Sequence, residues 1–227
     1  MTTSPITIGV FSPSSPISAT VPVRYERGKR FMEAHGFRVL DGALYGRRDG
    51  YRSGTIAQRA AEFNALLHDD RVQLLMAAIG GNNTNSILPY IDYDYLKAHP
   101  KPVVGYSDAT ALLLAIYAKT GIPTFYGPAL AASFGELPPY AELTLQYFTD
   151  IVTDPVPLPH RFPTPPYWTD ERIDWATRTV HLRQPSVPLA RASCELPVAD
   201  GKIRLAVQTG GSPEVFVPEG WTVRKTR

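Results

Sequence analysis

The sequence predicts an α/β fold, in which a mostly parallel, flavodoxin-like sheet carries helices on both faces. Over the first 150 residues short apolar runs alternate with helical patterns, which is typical of parallel strands joined by crossover helices. Two of the predicted strands end directly in glycine-containing turns, at Gly80-Gly81 and at Gly105. With 227 residues, 44% of them hydrophobic and 19% charged, the chain has the composition of an ordinary globular protein.

The individual elements follow from their local patterns. Apolar or β-branched runs bounded by turn residues predict strands, at residues 6–11, 37–40, 72–79, 103–104 and 124–126. Apolar residues at helical spacing predict helices, at residues 23–35, 56–67, 109–119 and 142–152. Thr55 is placed to cap the second of these helices, and Gly36 follows the first as a stop signal.

The character of the chain changes near residue 152. Residues 154–166 are rich in proline, which indicates a linker rather than a core, and periodicity is weak from residue 183 onward. We therefore divide the chain into an α/β domain at 1–152, a proline-rich linker at 153–182 and an irregular tail at 183–227. The tail is expected to be divergent or truncated.

Composition excludes several function classes. Lys and Arg total 23 against 21 for Asp and Glu, a net charge of +2, so neither nucleic acid nor a membrane surface is expected as a partner. No signal peptide is evident, and the single cysteine, Cys194, cannot form an internal disulfide, which together predict a cytoplasmic protein. No metal-ligand spacing and no P-loop lysine after Gly80-Gly81 are present, so we expect no metal and no cofactor.

The strongest candidate site is the segment Gly105-Tyr106-Ser107-Asp108-Ala109, between a predicted strand and a predicted helix. Small residues two positions before and two after the serine allow the tight turn of a nucleophile elbow. Such a turn would raise the Ser107 hydroxyl above the sheet edge and direct the Asp108 N–H toward an oxyanion. The same segment also fits a plain helix N-cap by Ser107 or Asp108, and the pentapeptide alone does not decide between the two.

A second candidate site is the glycine loop, residues 80–83, with the sequence GGNN. Two glycines after a buried strand let the backbone turn sharply and present amide donors to a ligand. Gly81 is the candidate for a second oxyanion donor. An ordinary turn is the alternative for this loop.

The sequence offers no clear general base, which a serine nucleophile requires. Two histidines fall at predicted helix C-termini, where a positive charge is favoured, one precedes a proline, and two lie in the linker and tail. In that order they are His35, His68, His99, His160 and His181. A base supplied by His160 or His181 folding back remains one alternative.

Residues 79–93, IGGNNTNSILPYIDY, and residues 105–114, GYSDATALLL, resemble the LD-carboxypeptidase family. Residues 119–130, 133–136 and 168–175 are most similar to the branch that contains the microcin C immunity peptidase. The resemblance covers residues 5–180. It implies a two-domain serine peptidase with a Ser-Glu-His triad, in which Ser107 matches the nucleophile and the backbones of Gly81 and Asp108 match the oxyanion donors.

The resemblance also implies a substrate class. Family enzymes cleave an amide beside a free carboxylate in LD-peptides of murein, and the immunity branch cleaves the bond between an aminoacyl or peptidyl group and a modified nucleotide. In that branch an aromatic residue stacks on the nucleotide base, and Trp175 occupies the matching place. We expect Asn82 and Trp175 to bind a small peptide or aminoacyl-nucleotide.

The chain departs from the family after Trp175. The family's glutamate and histidine come from a C-terminal domain that opens with a Gly-Gly-Asn-Leu segment, and Gly210-Gly211-Ser212-Pro213 does not match it. The sequence therefore predicts either a serine carboxypeptidase acting through a Ser107 acyl-enzyme or a truncated, non-catalytic remnant or binding module. Loss of a second domain would expose an apolar face and favour a homodimer.

Overall fold

The computed structural model describes residues 5–153, 165–168, 174–176, 184–185, 198–199, 202–204 and 214–216. The chain divides into two compact units. One comprises Met1–Pro163 with Thr169–Arg183, and the other comprises Thr164–Trp168 with Gln184–Arg227. No helix within the described ranges is long and apolar enough to cross a membrane.

The first unit is built on a five-stranded parallel sheet in the order β2-β1-β3-β4-β5. Its strands are β1 (Thr7–Phe11), β2 (Arg38–Asp41), β3 (Leu74–Ala77), β4 (Val103–Gly105) and β5 (Phe125–Tyr126). This is the flavodoxin-like strand order, so the predicted fold class is confirmed. Every residue of β1 and β3 is buried, as expected for strands that are covered on both faces.

Helices cover both faces of this sheet. They are α1 (Ile17–Thr20), α2 (Pro22–Ala34), α3 (Ile56–His68), α4 (Tyr93–Ala98), α5 (Thr110–Thr120) and α6 (Tyr140–Phe148). One core cluster joins the sheet to α3 and α5 through residues such as Phe63 and Leu112. A second cluster joins it to α2 and α6 through Met32 and Phe148.

Several short elements were not predicted from the sequence. They are α1, α4, the 3₁₀ helices Thr84–Tyr90 and Ser107–Ala109, and the π-helical turns Leu130–Phe134 and Thr149–Thr153. None of them is longer than about two helical turns, so the 3.6-residue period cannot be recognised in the spacing of their apolar residues. The last of the π-helical turns also explains why the helix predicted to reach residue 152 ends at Phe148.

The second unit contains short antiparallel strands. β6 (Tyr167–Trp168) pairs with β7 (Gln184–Pro185), while β8 (Val198–Ala199), β9 (Lys202–Arg204) and β10 (Glu214–Phe216) form a three-stranded sheet in the order β10-β9-β8. Strands of two or three residues leave no alternation in the sequence, which is why this region was predicted to be irregular. The proposed linker lies mostly outside the described residues, and the boundaries at 152 and 182 stay predictions.

The N-terminus of α3 has the capping box that Thr55 predicted. The Thr55 hydroxyl accepts a hydrogen bond from the Gln58 N–H at 3.2 Å, and the Gln58 side chain accepts one from the Thr55 N–H at 3.0 Å. These bonds satisfy two backbone donors that the helix itself leaves unpaired.

Replacing Thr55 with alanine should therefore lower the free energy of unfolding by about 1 kcal/mol. Gln58→Ala removes only the return bond and should cost less, which makes it the matched control. Denaturant titration followed by circular dichroism measures both changes. Equal midpoints for Thr55→Ala and the wild type would contradict a stabilising cap.

Candidate active site

Four loops meet at the carboxyl edge of the parallel sheet, where such folds place their ligands. The loop after β1 contains Ser14, and the loop after β2 spans residues 42–54. The loop after β3 is the glycine loop, and the loop after β4 contains Ser107. The strand order reverses between β1 and β3, and this switch point lies directly beneath the first and third of these loops. The two predicted site segments are therefore brought together by the topology.

Ser107 has a left-handed backbone with a φ of 58°, the one positive φ among the described non-glycine residues. Positive φ is sterically unfavourable for a side chain with a Cβ and often marks a functional turn. Ser107 sits between β4 and α5, as in a nucleophile elbow. The residue is exposed to solvent.

Small neighbours make this sharp turn sterically feasible. A Cβ added at Gly105 would lie 3.1 Å from the Cβ of Ala109 and 3.1 Å from the Cβ of Ala77. These distances are tighter than ordinary packing contacts. Gly105 therefore lets the chain fold back closely between the neighbouring strand and the following helix.

The alternative of a plain helix cap does not describe the geometry. Tyr106 and Ala109 occupy the N-cap positions of the 3₁₀ turn and of α5, and neither cap has a side-chain hydrogen bond. The Asp108 carboxylate instead accepts hydrogen bonds from Asn83 N at 2.8 Å, Thr84 N at 2.9 Å and Thr84 Oγ1 at 2.8 Å. It joins the elbow to the end of the glycine loop.

The glycine loop packs directly against the elbow. A Cβ added at Gly80 would lie 3.0 Å from Asp108 N and 3.1 Å from Ser107 Oγ. Gly81 has a φ of 154°, and a Cβ there would collide with the Ser14 side chain. Gly81 therefore requires glycine, Gly80 leaves little room for a side chain, and the loop backbone lies beside the Ser107 hydroxyl. The side chain of Asn82 is exposed at the same edge.

Sequence reasoning missed Ser14, which holds the glycine loop from the other side. Ser14 is completely buried, and its hydroxyl accepts hydrogen bonds from Asn82 N at 2.9 Å and Asn83 N at 3.1 Å. The same hydroxyl hydrogen bonds to Asp108. The signal that could have found it is not a local pattern but its position just after β1, beside the switch point of a flavodoxin-like sheet.

Asp108 is held in its ionised form. Burial raises the pKa of its carboxyl, but hydrogen bonds from Thr84, Ser14 and Asn83 outweigh burial and leave the pKa below the ordinary value of 3.8. An ionised carboxylate accepts hydrogen bonds and cannot donate a proton. The Asp108 side chain is therefore an anchor for the glycine loop, and its backbone N–H remains the group that can face an oxyanion.

Glu62, also missed from the sequence, joins the loops after β1 and β2. Its carboxylate accepts hydrogen bonds from Ser12 N at 2.6 Å and Leu44 N at 2.7 Å. Glu62 is buried, and burial raises its pKa to about 7 even though both hydrogen bonds lower it. Its ionisation therefore changes near neutral pH.

Trp175 lies over a buried arginine in the first unit. The Arg24 guanidinium carbon is 4.1 Å from the centre of the indole ring, a cation–π contact. Arg24 donates hydrogen bonds to Ala131 O at 2.9 Å and to the Glu136 carboxylate at 2.6 Å. Trp175 is half-buried and packs on the second core cluster, so this ring is fixed on one face.

No described histidine is hydrogen bonded to Ser107. The His35 ring contacts Phe31 O at 2.7 Å, the His68 ring contacts Asp92 at 2.9 Å, and the His99 ring packs on Tyr95 with centroids 4.4 Å apart. His160 and His181 lie outside the described residues. The described part of the chain also contains no cluster of three His, Cys, Asp or Glu side chains that would hold a metal ion.

The raised pKa of Glu62 predicts that stability falls as pH rises from 5 to 8. Between its ordinary pKa of 4.5 and its folded pKa of about 7, the native state keeps a proton that the unfolded state has released. This contribution is complete below 4.5 and is lost as pH rises through 7, and it amounts to at most about 3 kcal/mol. Urea titrations at several pH values measure it.

The control for this titration is Glu62→Gln, which is buried at the same place and does not ionise. It is expected to be less stable overall, because one amide oxygen replaces two acceptors, but its stability should depend less on pH over this range. An unchanged pH dependence in Glu62→Gln would assign the effect to another group.

Comparison with known proteins identifies the family of this chain. The LD-carboxypeptidase N-terminal domain family matches residues 8–127. A carboxypeptidase homologue of Vibrio cholerae is 50% identical over 181 residues, 80% of this chain and 53% of the relative. The microcin C7 self-immunity protein MccF of Escherichia coli is 48% identical over 169 residues, 74% of this chain and 49% of that protein. The chain thus spans about half the length of these relatives.

Solved structures and a more distant relative give the same result. The apo structure of MccF matches with a TM-score of 0.78 and 41% identity, covering 89% of this chain and 59% of that one. MccF has also been solved with aspartyl sulfamoyl adenosine. A murein tetrapeptide carboxypeptidase of Pseudomonas aeruginosa is 29% identical over 122 residues, 53% of this chain and 38% of that protein. Since the family domain matches more than half of its residues, this chain belongs to the LD-carboxypeptidase family.

Proposed function

We propose that Ser107 is the nucleophile of a serine carboxypeptidase that hydrolyses an amide-type bond through an acyl-enzyme. The observation that carries this proposal is the strained, exposed Ser107, whose hydroxyl lies against the backbone of Gly80. The backbone N–H groups of Gly81 and Asp108 are proposed as the oxyanion donors. Membership of the LD-carboxypeptidase family supports a peptidase reaction at this position.

The chemistry follows from this arrangement. Ser107 Oγ attacks the carbonyl carbon of the substrate and gives its proton to a general base, and the carbonyl oxygen becomes an oxyanion beside the two N–H donors. The leaving group departs with a proton, and water then hydrolyses the ester on Ser107. The N-terminal end of α5 adds a partial positive charge next to the developing oxyanion. The described histidines do not supply the base.

An aminoacyl- or peptidyl-nucleotide is the substrate class that we propose. MccF has been solved with aspartyl sulfamoyl adenosine, and Trp175 offers an indole ring for a nucleotide base. Because Arg24 covers one face of this ring, a base would stack on the opposite face. Asn82, which is exposed in the glycine loop at the same sheet edge as Ser107, is proposed to contact the substrate. Murein LD-peptides are the alternative substrates, which the Pseudomonas aeruginosa relative favours.

A binding module without turnover is the second candidate function. The observation that favours it is that all three described histidines contact groups other than Ser107. Such a module would keep the elbow, the glycine loop and Trp175, and would bind an aminoacyl-nucleotide without cleaving it.

Ser107→Ala decides between the two functions. With aminoacyl-sulfamoyl adenosine as substrate, the wild type should release free amino acid, and the variant should lose at least about 10³-fold in rate because the nucleophile is gone. Mass spectrometry follows the product. The matched control is Ser133→Ala, which should retain activity. In the wild type the Ser133 hydroxyl only accepts a hydrogen bond from Ala129 N at a π-helical turn.

Each outcome of this experiment has a separate meaning. Equal cleavage by wild type and Ser107→Ala would show that Ser107 is not the nucleophile. A folded wild type that binds the compound in calorimetry but does not cleave it would establish the binding module instead.

Trp175→Ala should weaken the interaction with a nucleotide substrate by roughly tenfold or more, because stacking on an aromatic ring contributes about 1–3 kcal/mol per base. Trp175→Phe keeps a ring and should lose less. The test is KM for aminoacyl-sulfamoyl adenosine, or Kd from calorimetry, beside an LD-tetrapeptide that carries no base. Equal losses for both compounds would mean that Trp175 does not recognise a base.

A further inference from the structure

Arg59 connects three of the four loops at the sheet edge. It lies on α3 with only 1% of its surface exposed, and its guanidinium donates in three directions. Nε donates to Gly54 O at 3.0 Å, Nη1 to Pro13 O at 2.5 Å and to Asn83 Oδ1 at 2.6 Å, and Nη2 to Ser86 Oγ at 3.0 Å. These acceptors belong to the loops after β2, β1 and β3.

Two of the Arg59 hydrogen bonds go to Asn83 in the glycine loop. Arg59 Nη1 also donates to Asn83 O at 3.1 Å, so it holds both the side chain and the backbone of that residue. Asn83 N in turn donates to Asp108 at 2.8 Å and to Ser14 Oγ at 3.1 Å. Gly81 lies two residues earlier in the same stretch. The backbone from Gly81 to Asn83 is therefore fixed at its far end by Arg59.

The fork shape of the guanidinium is what this position requires. All of the oxygens that accept from Arg59 are neutral carbonyl, amide or hydroxyl oxygens, and they approach from several directions. A planar guanidinium with five fixed donors can meet them together, whereas a lysine ammonium is a point donor that reaches fewer. Burial and the like charge of Arg52 lower the pKa of Arg59, and the negative charges of Asp108 and Asp49 offset part of this effect.

We propose that Arg59 is a positioning residue for the oxyanion donors, acting through Asn83 to hold the glycine loop against Ser107. It does not touch the substrate. The proposal rests on the proposed function, because it gives the glycine loop its role in stabilising the oxyanion. The structural consequence of the tether can nevertheless be measured without any reaction.

Hydrogen exchange of the full chain, followed by mass spectrometry, tests the tether. In Arg59→Lys, peptides covering residues 80–86 should exchange at least about tenfold faster than in the wild type, since local opening no longer breaks the same hydrogen bonds. Phe63→Leu is the matched control, because it alters the packing of the same helix and removes no hydrogen bond to the loop. Residues 80–86 should not be selectively faster in this control.

Activity tests the positioning role separately. With the substrate named above, Arg59→Lys should lower kcat by about tenfold or more and leave KM nearly unchanged, because a displaced oxyanion donor weakens only the transition state. Phe63→Leu should keep kcat when it is assayed well below its melting temperature. A merely structural Arg59 would lower stability without this separation of kcat from KM.

The outcomes of the two tests are distinguishable. Unchanged exchange at residues 80–86 overturns the proposal whatever the activity, and faster exchange with an unchanged kcat overturns the positioning role. A wild type that cleaves nothing contradicts the proposed function, and the exchange rates alone then decide whether Arg59 fixes the loop. If Arg59→Lys does not fold, Asn83→Ala is tested instead, since it removes the side-chain amide that accepts from Arg59 and keeps Arg59 itself. The proposal then requires faster exchange at residues 80–86 in Asn83→Ala.

Discussion

The left-handed conformation of Ser107 is the constraint around which the sheet edge is organised. A residue with a Cβ loses about 1–2 kcal/mol in this conformation, and the surrounding contacts have to offset that loss. Gly80 and Gly105 leave room for the turn. The carboxylate of Asp108, the next residue, accepts three hydrogen bonds from Asn83 and Thr84. The hydrogen bonds that stabilise the strained backbone at Ser107 are therefore the same ones that order the neighbouring glycine loop.

Two carboxylates near this edge have pKa values shifted in opposite directions, and their depth of burial and number of hydrogen-bond donors explain the difference. Asp108 receives bonds from Asn83, Thr84 and Ser14, which keep its pKa low in spite of burial. Glu62 receives two backbone bonds and lies deeper, so burial prevails and its pKa rises to about 7. The loop after β1 is thus hydrogen bonded to Asp108, which stays ionised, and to Glu62, whose charge changes near neutral pH.

The sequence predicted the parts of the molecule whose signals are local. Apolar runs such as that ending at Phe11 located the parallel strands, and small residues on either side of Ser107 indicated the elbow. Ser14, Arg59 and Glu62 could not be recognised in this way, since each acts through partners that are distant in the chain. A serine in a proline-rich loop and a charged residue on an amphipathic helix have no distinctive pattern. Only the fold shows that they are buried and what they contact.

The hydrogen bonds of the edge also bear on how the chain folds. Ser14 and Asn83 are 69 residues apart, and Asn83 and Asp108 are 25 apart. Closing such loops costs entropy before any contact forms, and contacts of this range slow folding. The support for Ser107 is therefore absent from any isolated strand–helix unit. It forms only when β1, β3 and β4 have paired, so the turn matures together with the sheet and not ahead of it.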